Sequence, residues 1–161
     1  MIEPSDDERG ILSTHLHSDG DLWDLVYVPG GGSRLPASAA MLAARQQFVK
    51  MKGNETFKVA VRTLEATARE ALEANKLGVD DVDLFIPHQA NVRIVNAVVE
   101  RLGLRKDRVF LNIDRYGNTS AASIPLALDE AVRAGRVSPG SRILMVAFGS
   151  GLTWASAVVK W

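Results

Sequence analysis

Three short segments hold the residue types that could do chemistry. Pro87-His88-Gln89-Ala90-Asn91 places a histidine after an apolar run and before a helical pattern. In open α/β sheets, sites gather outside strand ends, and Pro87 keeps its predecessor extended and fixes the exit path. Gly117-Asn118-Thr119-Ser120-Ala121-Ala122-Ser123 places an amide in a turn just before a helix. Phe148-Gly149-Ser150-Gly151-Leu152-Thr153 is a glycine loop after a buried run. Its backbone can approach a ligand closely and present N–H groups. A neutral imidazole and a side-chain amide both donate hydrogen bonds without carrying charge.

Each segment also has an ordinary structural use. A histidine can satisfy a backbone carbonyl, an asparagine can cap a helix, and a glycine loop can be a tight turn. The glycine loop does not match the phosphate-binding P-loop. Gly30-Gly31-Gly32 does not match the dinucleotide fingerprint and reads as a flexible loop. His15 and His17 share one face of a strand, as some zinc ligands do, with no third ligand nearby in sequence, so no metal is expected.

These residues must be positioned by the rest of the chain. Residues 11–17 read as a strand, bounded by Gly10 and by Asp19-Gly20. Residues 28–36, with two prolines and three glycines, read as a loop, and 37–47 as a short helix. Residues 54–76 carry the clearest helical pattern, with Phe57, Val61, Leu64, Ala68 and Leu72 on one face. Asn54 is its expected N-cap and Gly78 its expected stop. Residues 84–87 read as a buried strand and 91–102 as a helix ended by Gly103. Residues 109–113 read as another strand and 119–134 as a helix with Asp129 and Arg133 at i,i+4. Residues 142–148 and 153–161 read as strands joined by a turn short enough to make them antiparallel neighbours. Such alternation means an α/β layered fold.

Composition limits the function classes. The chain has 161 residues, 47% of them apolar, enough for one compact domain with a sizeable core. A formal net charge of zero argues against broad electrostatic binding to nucleic acid or to an anionic membrane. With no cysteine in the chain, disulfides, thiolate metal sites and a thiol nucleophile from this chain are excluded. The acidic, polar N-terminus lacks an apolar signal-peptide core, and no apolar run reaches membrane-spanning length. The expectation is a soluble cytoplasmic protein, with residues 1–9 an extension and 10–161 the domain.

Taken together and in order, the segments resemble the C-terminal half of β-ketoacyl-acyl-carrier-protein synthase III. The similar stretches are Ser13-Thr14-His15-Leu16-His17-Ser18-Asp19-Gly20, Met51-Lys52-Gly53-Asn54-Glu55-Thr56-Phe57-Lys58-Val59-Ala60-Val61 and Pro87-His88-Gln89-Ala90-Asn91. Gly117-Asn118-Thr119-Ser120-Ala121-Ala122-Ser123 and Phe148-Gly149-Ser150-Gly151-Leu152-Thr153-Trp154 complete the set. The resemblance runs from about residue 10 to residue 161. It implies one half of a thiolase-like fold, a five-stranded mixed sheet with helices on both faces. In the family, the catalytic cysteine lies in the other half.

The family reaction is a decarboxylating condensation of acyl-CoA with malonyl-acyl carrier protein. The resemblance makes His88 and Asn118 the catalytic donors to the developing thioester enolate, with backbone N–H groups near Gly149 and Ser150 helping an oxyanion. Met51, Gly53, Asn54, Phe57, Ala90, Asn91 and Ile94 match positions lining the tunnel for the CoA/pantetheine arm. Arg93 matches a basic position that receives the carrier protein. No cofactor is implied. The implied partners are acyl-CoA, malonyl-carrier protein and the cysteine-bearing half, with a homodimer when complete. A stand-alone malonyl-thioester decarboxylase and a non-catalytic carrier-protein or CoA-binding module are the alternatives.

Overall fold

The computed structural model describes residue 4 and residues 8–161, so most of the expected extension 1–9 lies outside the described residues. The elements run β1 (Gly10–Ser18), β2 (Val26–Tyr27), α1 (Ala39–Ala43), β3 (Lys50–Met51), α2 (Gly53–Ala74), β4 (Leu84–Pro87), α3 (Val92–Leu102), α4 (Ile113–Tyr116), α5 (Ser123–Arg133), β5 (Arg142–Gly149) and β6 (Thr153–Lys160). The main sheet has the order β1-β6-β5-β4, and β2 pairs with β3 in a small separate sheet. β4 and β5 are parallel, whereas β6 is antiparallel to both β5 and β1.

Side chains alternate across a strand, and that alternation sorts the core onto the two faces. Phe85, Leu144, Val146 and Val158 meet Leu64, Ala68 and Leu72 of α2 and Val95, Val98 and Leu102 of α3. Leu84, Ile86 and Ile143 go to the opposite face and meet Ala127 and Ala131 of α5. β4 is buried along its whole length, which is why it reads as an unbroken apolar run.

Residues 109–113 do not form the expected strand. One bridge joins Val109 to Phe85, and the Phe110 N–H donates to the Phe85 carbonyl at 3.0 Å. Beyond it the buried Gln89 side chain takes over. Its Nε2 donates to the Phe110 carbonyl at 3.3 Å, and its Oε1 accepts from the Asn112 N–H at 3.3 Å. Backbone groups that a ladder would pair are already satisfied, and the chain turns into α4. Among the described residues the main sheet therefore has four strands rather than five.

Helix ends also differ from expectation. Asn54 is not the N-cap of α2, because the flanking residue is Lys52, with no side-chain cap. The helix stops before Gly78: Lys76 takes φ +56°, and the Leu77 N–H closes onto the Leu72 carbonyl at 2.9 Å. α3 behaves as expected. The Asn91 side chain accepts from the Arg93 N–H at 2.9 Å, and Gly103 ends the helix at φ +75°. The expected helix 119–134 begins as a 3-10 turn, Ser120–Ala122, and becomes α-helical at Ser123. α1 is shorter than expected, and the β2–β3 pair was not anticipated.

Candidate active site

β4 and β5 are parallel neighbours, so their C-terminal ends open on the same edge of the sheet. His88 follows β4, and its N–H continues the ladder by donating to the Val146 carbonyl at 2.8 Å. Gly149 ends β5 and opens the turn into β6. Gly151 sits in that turn at φ +148°, where a Cβ would lie 2.7 Å from Thr153 Cγ2, so the position requires glycine. The turn is fastened to the end of β1: Asp19 and Leu152 exchange two backbone hydrogen bonds of 2.9 Å each.

Above this edge lies a cavity of about 1440 Å³. Every residue that the resemblance assigns to the site lines it: His88, Asn118, Gly149, Ser150, Met51, Gly53, Asn54, Phe57, Ala90, Asn91, Ile94 and Arg93. They come from α2, β3, the β4–α3 connection, α3, the turn before α5 and the β5–β6 turn. Pockets for drug-sized ligands are roughly 300–1,000 Å³, so this hollow exceeds what one such ligand needs. Leu16 and Ala155 extend it along β1 and β6.

Two amide or imidazole groups are anchored on one side and open on the other. His88 Nδ1 lies 2.6 Å from Ser123 Oγ, and its Nε2 has no partner among the described residues. Asn118 Oδ1 accepts from the Ser120 N–H at 2.9 Å. That contact assigns the amide orientation and leaves Nδ2 as an unpartnered donor among the described residues. Asn118 is thus both the turn former its type suggested and a cavity residue. Burial alone holds the His88 pKa below its ordinary value, which keeps the ring neutral at pH 7.

Among the described residues, no Asp, Glu or Lys lines the cavity, and Arg93 is its one permanently charged side chain. The Arg93 guanidinium lies 5.7 Å from the centre of the Phe57 ring. Met51 is 64% exposed, so in this chain it is wall rather than core, whereas Phe57 is half-buried against the α2–α3 core. Such a lining can donate hydrogen bonds to an oxyanion and contact methylenes. Among the described residues it offers no carboxylate to act as general base.

Two residues without a role in the sequence reading stand behind His88. Ser123 is 2% exposed, and Gln89 is 1% exposed. Gln89 also donates to the Pro87 carbonyl at 2.8 Å and so ties the histidine turn together. Their types gave no signal beyond membership of the two motifs. His15 and His17 face α2 and share Glu70, His17 Nε2 at 2.6 Å and His15 Nδ1 at 3.4 Å. Among the described residues, no group of three or more His, Cys, Asp or Glu side chains is arranged to hold a metal, and no helix is long and apolar enough to cross a membrane.

The structure resembles solved ones closely. It aligns with the 3-oxoacyl-acyl-carrier-protein synthase III of Thermus thermophilus at a TM-score of 0.89 and 46% identity, over 99% of this chain and 49% of that one. With the Aquifex aeolicus enzyme of that name the TM-score is 0.84 at 44% identity, over 98% of this chain and 46% of that one. The layers are those of one half of a thiolase-like fold. The family described as 3-oxoacyl-[acyl-carrier-protein (ACP)] synthase III C terminal matches residues 72–161, and the chain belongs to it. It is also 53% identical to the β-ketoacyl-[acyl-carrier-protein] synthase III of Roseiflexus castenholzii, over the whole of this chain and 49% of that protein. The chain spans about half the length of the curated relatives it matches.

Proposed function

We propose that the chain is the enolate-stabilising half of a β-ketoacyl-acyl-carrier-protein synthase III, working with a cysteine-bearing N-terminal half. An acyl group passes from CoA to that cysteine. The malonyl thioester then loses carbon dioxide, and the electron pair of the broken C–C bond moves onto the thioester as an enolate. His88 Nε2–H and Asn118 Nδ2–H donate to its oxygen. The enolate carbon attacks the acyl-cysteine carbonyl, and the thiolate leaves. Backbone N–H groups at Gly149 and Ser150 stabilise the oxyanion formed in acyl transfer. One preorganised donor of this kind is worth about 3 kcal/mol in water-excluded sites.

The observation that carries this reading is the paired anchoring of His88 and Asn118. Among the described residues, each has one polar atom tied back to the fold and the other unpartnered, beside a wall without a carboxylate. A nearby carboxylate would repel both the malonyl group and the enolate. Met51, Gly53, Asn54, Phe57, Ala90, Asn91 and Ile94 form the wall for the pantetheine arm. Arg93 receives the carrier protein, at a site in the cytoplasm.

Assembly tests the reading. Native mass spectrometry of the chain taken from its own cells should show it with a cysteine-bearing partner, and that complex should make β-ketoacyl-carrier protein from acyl-CoA. A chain that stays alone or pairs only with itself would overturn it.

A further inference from the structure

We propose that Ser123 is a positioning residue that sets the tautomer of His88. The proposal rests on the donor role given to His88 above. The Ser123 hydroxyl lies 2.6 Å from His88 Nδ1 and 3.4 Å from the Gln89 backbone nitrogen. A hydroxyl has one proton and two lone pairs, and a backbone N–H can only donate. One lone pair of Oγ therefore accepts from Gln89, and the hydroxyl proton has to find an acceptor.

Burial decides where it goes. Ser123 is 2% exposed, so water is not an alternative partner, and an unsatisfied buried O–H is costly. Among the described residues, His88 Nδ1 is the acceptor within hydrogen-bond distance of Oγ. The hydroxyl donates, Nδ1 keeps its lone pair, and the ring proton sits on Nε2. The opposite arrangement would put the ring proton on Nδ1 and leave the hydroxyl proton without a partner. It would also turn Nε2 into an acceptor, which suits a base and not an enolate donor.

The local fold makes the arrangement rigid. Ser123 is the first residue of α5, five residues after Asn118, so one short segment supplies one donor and directs the other. The Gln89 side chain, held on the Pro87 carbonyl, the Phe110 carbonyl and the Asn112 N–H, fixes the backbone that carries His88.

The test uses the chain assembled with the cysteine-bearing half, with histidines 15N-labelled in this chain alone and His88 assigned by its loss in His88→Ala. The wild-type spectrum should show His88 protonated at Nε2. Ser123→Ala should give a mixture of tautomers. It should lower kcat for malonyl-thioester decarboxylation by roughly 10–100-fold, the range seen when a metal-ligating histidine loses the partner that fixes its tautomer. KM should stay unchanged, and the acid limb of the pH profile should move to higher pH. Ser123→Thr, which keeps the hydroxyl, should restore both tautomer and rate. A wild-type ring protonated at Nδ1, or a Ser123→Ala protein that keeps the Nε2–H form and full rate, would overturn the proposal. The spectra need no turnover, so an inactive assembly would count against the functional reading while they still decide the role of Ser123.

Discussion

The two faces of the main sheet are finished to different degrees. On one face α2 and α3 cover strands β4, β5 and β6 with a continuous core. On the other, α5 covers β4 and β5, while Leu16 of β1, opposite Ala155 of β6, is 77% exposed. The covered face holds the fold together, and the open one borders the cavity that holds His88 and Asn118. Stability and function should therefore separate by face.

The largest effect is expected on the closed face. Phe85→Ala removes a fully buried ring and should cost about 3–5 kcal/mol in denaturant unfolding, with loss of every activity following from unfolding. Leu16→Asp should change the stability of the lone chain by less than about 0.5 kcal/mol, as exposed positions do. It should nonetheless abolish assembly with the cysteine-bearing half in analytical ultracentrifugation. Comparable loss of stability in both variants would break the contrast between the faces.

Acid should act differently on the two regions. Folded His88 titrates below its ordinary value of 6.5, so below that pH the unfolded chain binds more protons and folding stability falls. His88→Gln should flatten that part of the pH–stability curve. On the closed face, Glu70 is held below its ordinary value chiefly by the hydrogen bond from His17. Its contribution is present above the ordinary carboxylate range and lost as pH falls through the lowered value, so Glu70→Gln should lower stability at neutral pH and flatten the curve only in that more acidic region. Unfolding at a series of pH values separates the two.

Smaller effects are expected at exposed charged side chains. Arg93→Glu should raise KM for malonyl-carrier protein several-fold while leaving that for malonyl-CoA nearly unchanged. Asp129→Ala removes an exposed i,i+4 partner of Arg133 at 2.9 Å and should cost only ~0.3 kcal/mol.

Much of this was legible in the sequence because it is local. The runs 84–87 and 142–148 are apolar because those strands are covered on both faces, and Gly103 marks a real left-handed cap. The motif residues converge on one cavity because each sits at an element end on the same edge. Residues 109–113 were misread because the groups that satisfy their backbone belong to Gln89, some 20 residues away. The Ser123 contact was hidden for the same reason: nothing in a serine's type shows that it meets a histidine 35 residues earlier. The β2–β3 pair is two residues per strand, too short to carry a period.

The most direct test is carbon dioxide release from malonyl-carrier protein by the assembled complex, measured for wild type, His88→Ala and Asn118→Ala. The account predicts a loss on the order of 100-fold or more in each variant, with acyl transfer from CoA to the cysteine largely retained. Decarboxylation at the wild-type rate in either variant would contradict it.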